Sequence, residues 1–202
     1  MIKKGLLSIF MMFAVAFASF AQKSSELVYT DVEEFATLIN QGFGNTEMRY
    51  SRIPADLKDQ TRKDVWDLGL NSAGIAIRFS SNAKAMGAQW TLLNNFKMNH
   101  MPGTGIRGID LYALVDGQWR HVGTAQPNGK ESRNLFFRNG DGSEREYLAY
   151  LPLYDGVEKL AIGVDSTATL SAPKVVTFKS RKPFVFYGTS ITQGGCASRP
   201  GM

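Results

Sequence analysis

The sequence predicts a mainly β protein: an antiparallel, jelly-roll-like sandwich over residues 22–180, followed by the first strand of an α/β domain that begins at residue 181. Three observations carry this. Apolar and polar residues alternate with period two in segment after segment. Clusters of Gly, Asn, Asp and Pro separate those segments, with no long helical pattern between them, as in sandwiches and jelly rolls. Near residue 183 the alternation gives way to an unbroken apolar run.

The chain opens with Lys3 and Lys4 ahead of an apolar run from Gly5 to Phe20, and Ser19-Phe20-Ala21 places small residues where a signal peptidase cuts. Residues 1–21 are therefore expected to be a cleaved export signal. A spanning helix needs about 20 apolar residues and this run is shorter. No Cys follows it, so lipid attachment is not indicated.

Two short helices are expected next. Thr30 and Glu33 form a capping-box pattern before Phe35, Leu38 and Ile39, and residues 56–66 are a weaker candidate with apolar positions at Leu57 and Val65 only. Strands follow. Ile75, Ile77 and Phe79 alternate with Ala76, Arg78 and Ser80. Ile109, Leu111, Ala113 and Val115 lead into Asp116-Gly117, a pair that tolerates positive φ and suits a two-residue hairpin turn, from which Trp119 and His121 return. Further strands are expected over 86–94, 133–138, 145–152, 158–164 and 174–179. Pro183 then precedes Phe184-Val185-Phe186-Tyr187, a run suited to a strand covered on both faces, as in a parallel sheet. About 20 residues follow the boundary, against the 50 or more of an independent domain, so the second domain is expected to be only begun.

Composition narrows the function. With 44% hydrophobic and 20% charged residues the chain is ordinary globular protein. Removing Lys3 and Lys4 with the signal leaves 21 of the 23 basic residues against 18 acidic ones, a net of +3 with no basic stripe, so no nucleic-acid partner is indicated. The single Cys196 cannot form an internal disulfide, and no Cys/His cluster suggests structural zinc. Asn139-x-Asp141-x-Ser143 has a trace of oxygen-ligand spacing but lacks the later Glu of a calcium loop, which favours a solvated turn. No cofactor is expected.

The chemistry centres on Gly188-Thr189-Ser190-Ile191-Thr192. A serine where a strand turns into the next element projects its Oγ at the sheet edge, and its backbone N–H can face a developing oxyanion. It is not the G-x-S-x-G elbow, since Thr192 stands where Gly is needed, and Gly194-Gly195 lacks the Lys-Ser/Thr of a phosphate loop. A serine also needs a base. The histidines are His100, in a Gly/Pro-rich loop, and His121, on the face of Trp119. Both fit ordinary loop or surface roles more readily than a base. Trp66, Trp90 and Trp119 fit core packing better than a sugar-stacking platform, and Cys196 fits a pocket wall or a buried thiol.

Phe186 to Gly194, "FYGTSITQG", resembles the first conserved block of the SGNH (GDSL-type) hydrolases, with Thr189 in place of that motif's Asp. Gly108-Ile109-Asp110-Leu111-Tyr112 resembles the GxDLY signature of the sandwich that precedes this block in secreted SGNH esterases. The segments "VWDLGLNSAGIAIRF", "MNHMPGTGIRGIDLYA" and "YLAYLPLYDGVEKLAIGV" resemble the same group, so the likeness runs from about Tyr29 to Met202. It implies hydrolysis of acyl esters, with acetyl esters on polysaccharides the expected substrates, by a flavodoxin-like hydrolase domain. Ser190 would be nucleophile and, through its N–H, one of three oxyanion donors. The remaining donors, a Gly and an Asn, and the Asp-x-x-His that supplies acid and base belong to later blocks of the family and have no counterpart here. The expectation is an exported N-terminal part of an esterase, inactive alone. The competing reading is a carbohydrate-binding sandwich. Asp110, between Ile109 and Leu111, is expected to satisfy backbone donors or face the second domain rather than serve as triad acid.

Overall fold

A computed structural model describes residues 26–175, 182 and 184–202. The expected signal over 1–21, the boundary at 181 and most of the expected strand over 174–179 lie outside the described residues.

Among the described residues, ten strands build two sheets: β1 (Val28–Asp31), β2 (Thr37–Ile39), β3 (Ala76–Ser81), β4 (Met86–Leu92), β5 (Ile109–Val115), β6 (Gln118–Ala125), β7 (Glu131–Phe137), β8 (Arg145–Tyr150), β9 (Val157–Val164) and β10 (Leu170–Ser171). One sheet has the order β1-β9-β4-β7. The other runs β10-β3-β8-β5-β6, with β2 also on β3, and every pairing is antiparallel. The described residues also form three short α-helices, α1 (Lys63–Gly69), α2 (Gly103–Arg107) and α3 (Ser190–Gln193).

The alternation that predicts the strands also builds the core. Ile77 and Phe79 of β3, Leu111 and Ala113 of β5, and Tyr147 and Ala149 of β8 meet Ala88, Trp90, Leu92, Leu160 and Ile162 of the facing sheet in one buried cluster. Each large side chain so buried contributes about 1.5–3 kcal/mol relative to exposure. A bulge keeps β9 in phase with this core. Lys159 pairs with Thr91 but Val157 pairs with Leu92, so the extra residue lets both Val157 and Leu160 point inward while Glu158 and Lys159 stay exposed. The expected hairpin is present, with Val115 opposite Gln118 and positive φ at both Asp116 (51°) and Gly117 (74°).

Three expectations are corrected. The helix expected after Thr30 is a single 3-10 turn, Val32–Glu34, capped by Asp31, whose carboxylate accepts the Glu33 N–H at 2.9 Å. Leu38 and Ile39 instead lie in β2, because the edge of β3 offers backbone partners that outweigh local helix preference. Residues 56–66 divide into a 3-10 segment, Ala55–Gln60, and the start of α1, with Leu57 and Val65 exposed. The strand expected at 184–187 is not formed. Phe184, Val185, Phe186 and Tyr187 are 84–97% exposed. A strand meant to be covered on both faces needs neighbours and flanking layers, which the described residues do not supply.

The outer face of the β3-β8-β5-β6 sheet positions the site. Arg78, Glu146, Tyr150, Asp110 and Tyr112 occupy the strand positions that alternate away from the core. Yet Arg78 and Glu146 are each only 5% exposed and Asp110 is fully buried. The chain after β10 covers them. Glu146 Oε1 accepts the Lys174 N–H at 2.6 Å and the Val175 N–H, Arg78 donates to the Val175 carbonyl, and Arg78 pairs with Glu146.

Candidate active site

Ser190 is the first residue of α3, a one-turn helix that Thr189 precedes and Gly194 ends in the left-handed conformation (φ 98°). The first-turn amides of such a helix have no intrahelical acceptor, so the Ser190 N–H is available to a ligand oxygen. Ser190 is exposed and borders a cleft of about 370 Å³ lined also by Met98, His100, Met101, Tyr154, Ile191, Gly195 and Cys196.

The sandwich supports this turn from below. Tyr154 donates its hydroxyl to the Ser190 carbonyl at 3.1 Å, and burial raises the Tyr154 pKa, keeping it a donor. Gln193 Nε2 donates to the Leu153 carbonyl at 3.0 Å, and the Gly195 N–H closes back onto the Ser190 carbonyl at 2.7 Å. Beyond the helix, Thr104 Oγ1 of α2 donates to the Ser198 carbonyl at 2.6 Å. Gly105 is required there. A Cβ at that position would lie 2.2 Å from the Ala197 carbonyl oxygen.

Further along, Asp110 receives residues 199–201. Its Oδ2 accepts from Arg199 Nη1 at 2.7 Å and from the Gly201 N–H at 2.9 Å, and its Oδ1 accepts from Thr124 Oγ1 at 2.6 Å. Tyr112 donates to the Gly201 carbonyl at 2.6 Å. The two polar side chains of the GxDLY signature thus hold the segment that follows the Ser190 turn. Asp110 is not poised as a triad acid toward Ser190, since the three donors it accepts come from Thr124, Arg199 and Gly201.

The structure divides the histidines. His121 Nε2 lies 3.1 Å from Thr124 Oγ1 and 3.8 Å from Asp110 Oδ1. Because Thr124 spends its hydrogen on Asp110, the His121 imidazole is the donor in that contact. His100, by contrast, lines the cleft with Ser190, and its Nδ1 is 2.8 Å from Asn99 Oδ1. No hydrogen bond joins His100 to Ser190. The sequence signal for His100 was only its Gly/Pro-rich loop. Cys196 is exposed on the cleft wall rather than buried. Of the tryptophans, Trp66 and Trp90 are buried (6% and 1% exposed), and Trp90 Nε1 donates to the Arg107 carbonyl at 3.0 Å, which leaves neither face for a sugar. Trp119 is half-buried beside Arg78. Asp141 binds Arg145 through both oxygens and accepts the Ser143 N–H at 2.9 Å, so its carboxylate caps a turn.

The arrangement is a β-sandwich that holds the serine-bearing turn on Leu153 and Tyr154 and the segment after it on the strand of Asp110 and Tyr112. The comparisons make it specific. The family model described as GxDLY, the N-terminus of SGNH-hydrolase-type esterases, matches residues 27–170, and the GDSL-like lipase/acylhydrolase family matches residues 181–202. A crystal structure from Bacteroides ovatus, of a protein classed as a GDSL-like lipase, is 31% identical, covers 87% of this chain and superposes with a TM-score of 0.77. The chain spans 51% of that structure's length. The salicylyl-acyltransferase SsfX3 from a tetracycline biosynthetic pathway shares the fold, at 9% identity and a TM-score of 0.53 over 74% of this chain and 42% of its own. No curated protein matches the chain. The chain belongs to the SGNH-hydrolase-type esterase family and carries its GxDLY N-terminal region.

Proposed function

We propose that this chain supplies the nucleophile turn and supporting sandwich of an exported serine esterase that removes acyl groups, above all acetyl groups, from polysaccharides. The observation that carries the reading is Ser190 at the start of α3, open to a cleft and seated on Leu153 and Tyr154, with the segment after it held by the GxDLY strand. The two family matches, one ending at residue 170 and the other beginning at 181, support a division into a sandwich over 22–180 and the start of a hydrolase domain from 181. Residues 1–21 are assigned to export, to the periplasm or beyond.

In this scheme Ser190 Oγ attacks the ester carbonyl while a base takes its proton. The Ser190 N–H donates to the oxyanion of the tetrahedral intermediate. Collapse expels the sugar hydroxyl, which regains the proton, and water then releases the acid from the acyl-serine. The base and acid are assigned to the family's Asp-x-x-His block, not to His100 or His121. The 202-residue chain alone is accordingly assigned no esterase activity.

The test is acetate release from an aryl acetate and from an acetylated polysaccharide. Hydrolysis is expected from the full-length gene product, with loss in Ser190→Ala and none from residues 22–202. Vigorous hydrolysis by residues 22–202 alone would overturn the assignment of base and acid. Glycan retention without hydrolysis by the full-length product would favour a carbohydrate-binding module instead.

A further inference from the structure

Asp110 sits on the outward-facing side of β5, where alternation would expose it, yet it has no solvent exposure. A buried carboxylate is stable only when its oxygens are paired and hydrogen-bonded. Two of the three donors that Asp110 accepts, Arg199 Nη1 and the Gly201 N–H, come from the segment after Ser190. Tyr112, two residues along the same face, completes the arrangement. Its hydroxyl donates to the Gly201 carbonyl at 2.6 Å and accepts from Arg199 Nη1 at 2.5 Å. Both polar groups of Gly201 are therefore held by two side chains of one strand, and both hydrogens of one Arg199 nitrogen are used. The fit is close. A Cβ on Gly201 would lie 2.4 Å from Tyr112 Cε2.

We propose that Asp110 and Tyr112 are positioning residues for the nucleophile: a clamp that fixes residues 199–201 and, through the short hydrogen-bonded turn from Ser190 to Ser198, sets where Ser190 Oγ points. The inference rests on the reading of Ser190 as nucleophile. The path is continuous. Clamped Gly201 and Arg199 adjoin Ser198, held by Thr104. Ala197 bonds to the Gly194 carbonyl at 3.1 Å, and Gly195 bonds to that of Ser190. A misplacement of about 1 Å at a reacting atom can cost about 100-fold in rate.

Two arms test this, with Tyr112→Phe and Arg199→Ala as variants that leave the sandwich core intact and Asp110→Asn as the more severe one. In the 202-residue chain, hydrogen exchange is followed by mass spectrometry. Amides of 195–202 are expected to exchange about tenfold faster in each variant, with β3, β5 and β8 unchanged. In the full-length gene product, kcat on an aryl acetate is expected to fall by about 10- to 100-fold with KM within about twofold, and Arg199→Lys is expected to recover part of the loss. Unchanged exchange in Tyr112→Phe and Arg199→Ala overturns the clamp. Faster exchange with kcat within twofold of the unaltered protein overturns its catalytic role. If Ser190→Ala retains full activity, the nucleophile reading fails, and the catalytic role falls with it while exchange still decides the clamp.

Discussion

Arg199 Nη1 lies 2.7 Å from Oδ2 of the fully buried Asp110, joining the strand that carries the GxDLY signature to the segment that follows Ser190. The two family-matched regions of this chain therefore meet through a charged hydrogen bond whose buried half cannot go unpaired without cost. The sandwich is a seat for the Ser190 turn rather than a neighbour of it.

Asp155 gives a pH prediction. It is fully buried; Oδ1 accepts the Asn94 and Gly156 N–H groups at 2.9 Å each, while Oδ2 has no partner. Burial raises its pKa above the usual carboxylate value, against the lowering by those amides. A group whose folded pKa is raised contributes most below its unfolded value and loses that contribution as pH rises through the folded value. Asp155→Asn keeps an oxygen for both amides and carries no charge. Its stability relative to the unaltered chain should therefore improve between about pH 4 and about pH 7, as measured by urea unfolding at both. A deficit that grows toward neutral pH would refute this.

Gly105→Ala should unseat the turn without unfolding the sandwich. Its Cβ meets the Ala197 carbonyl oxygen at 2.2 Å, a backbone atom in the segment being held. Limited proteolysis should cut within 188–202 in the variant while the strands stay protected. Wild-type resistance there would mean that α2 does not support the segment.

Glu146→Ala should be among the costlier substitutions on the outer face. It removes the carboxylate that pairs with buried Arg78 and receives the Lys174 and Val175 amides. Breaking a buried pair from one side costs about 3–5 kcal/mol, readable as a lower urea midpoint. A loss below about 1 kcal/mol, the value of a surface pair, would contradict the burial argument.

Leu111→Ala tests the core from the strand that bears Asp110. Leu111 is fully buried in the cluster between the sheets. The expected loss is about 2–5 kcal/mol, measured by chemical unfolding, with a smaller loss signifying that the sheets close over the cavity.

Much of the fold was legible because it is local. The β5–β6 hairpin follows from alternation and Asp116-Gly117, both within one short stretch of chain. What escaped depends on distant partners. Leu38 and Ile39 looked helical with Phe35, and only the edge of β3 makes them a strand. The run from Phe184 to Tyr187 looked like a buried strand, but its own residues cannot supply the neighbours such a strand needs. Ser190 was visible as a motif, whereas its sharing of a cleft with His100 was not, since 90 positions separate them in the chain. Asp110 was expected to satisfy backbone donors or face the following domain. That Gly201 is the backbone partner and Arg199 the ionic one follows only from the folded path.

The central claim is that Ser190 is the nucleophile. It is tested most directly by treating the full-length gene product with a fluorophosphonate, which captures activated serines, and mapping the adduct by peptide mass spectrometry. The account predicts a single adduct on the peptide containing Ser190, absent in Ser190→Ala together with ester hydrolysis. An adduct on another serine, or hydrolysis that survives Ser190→Ala, would contradict it.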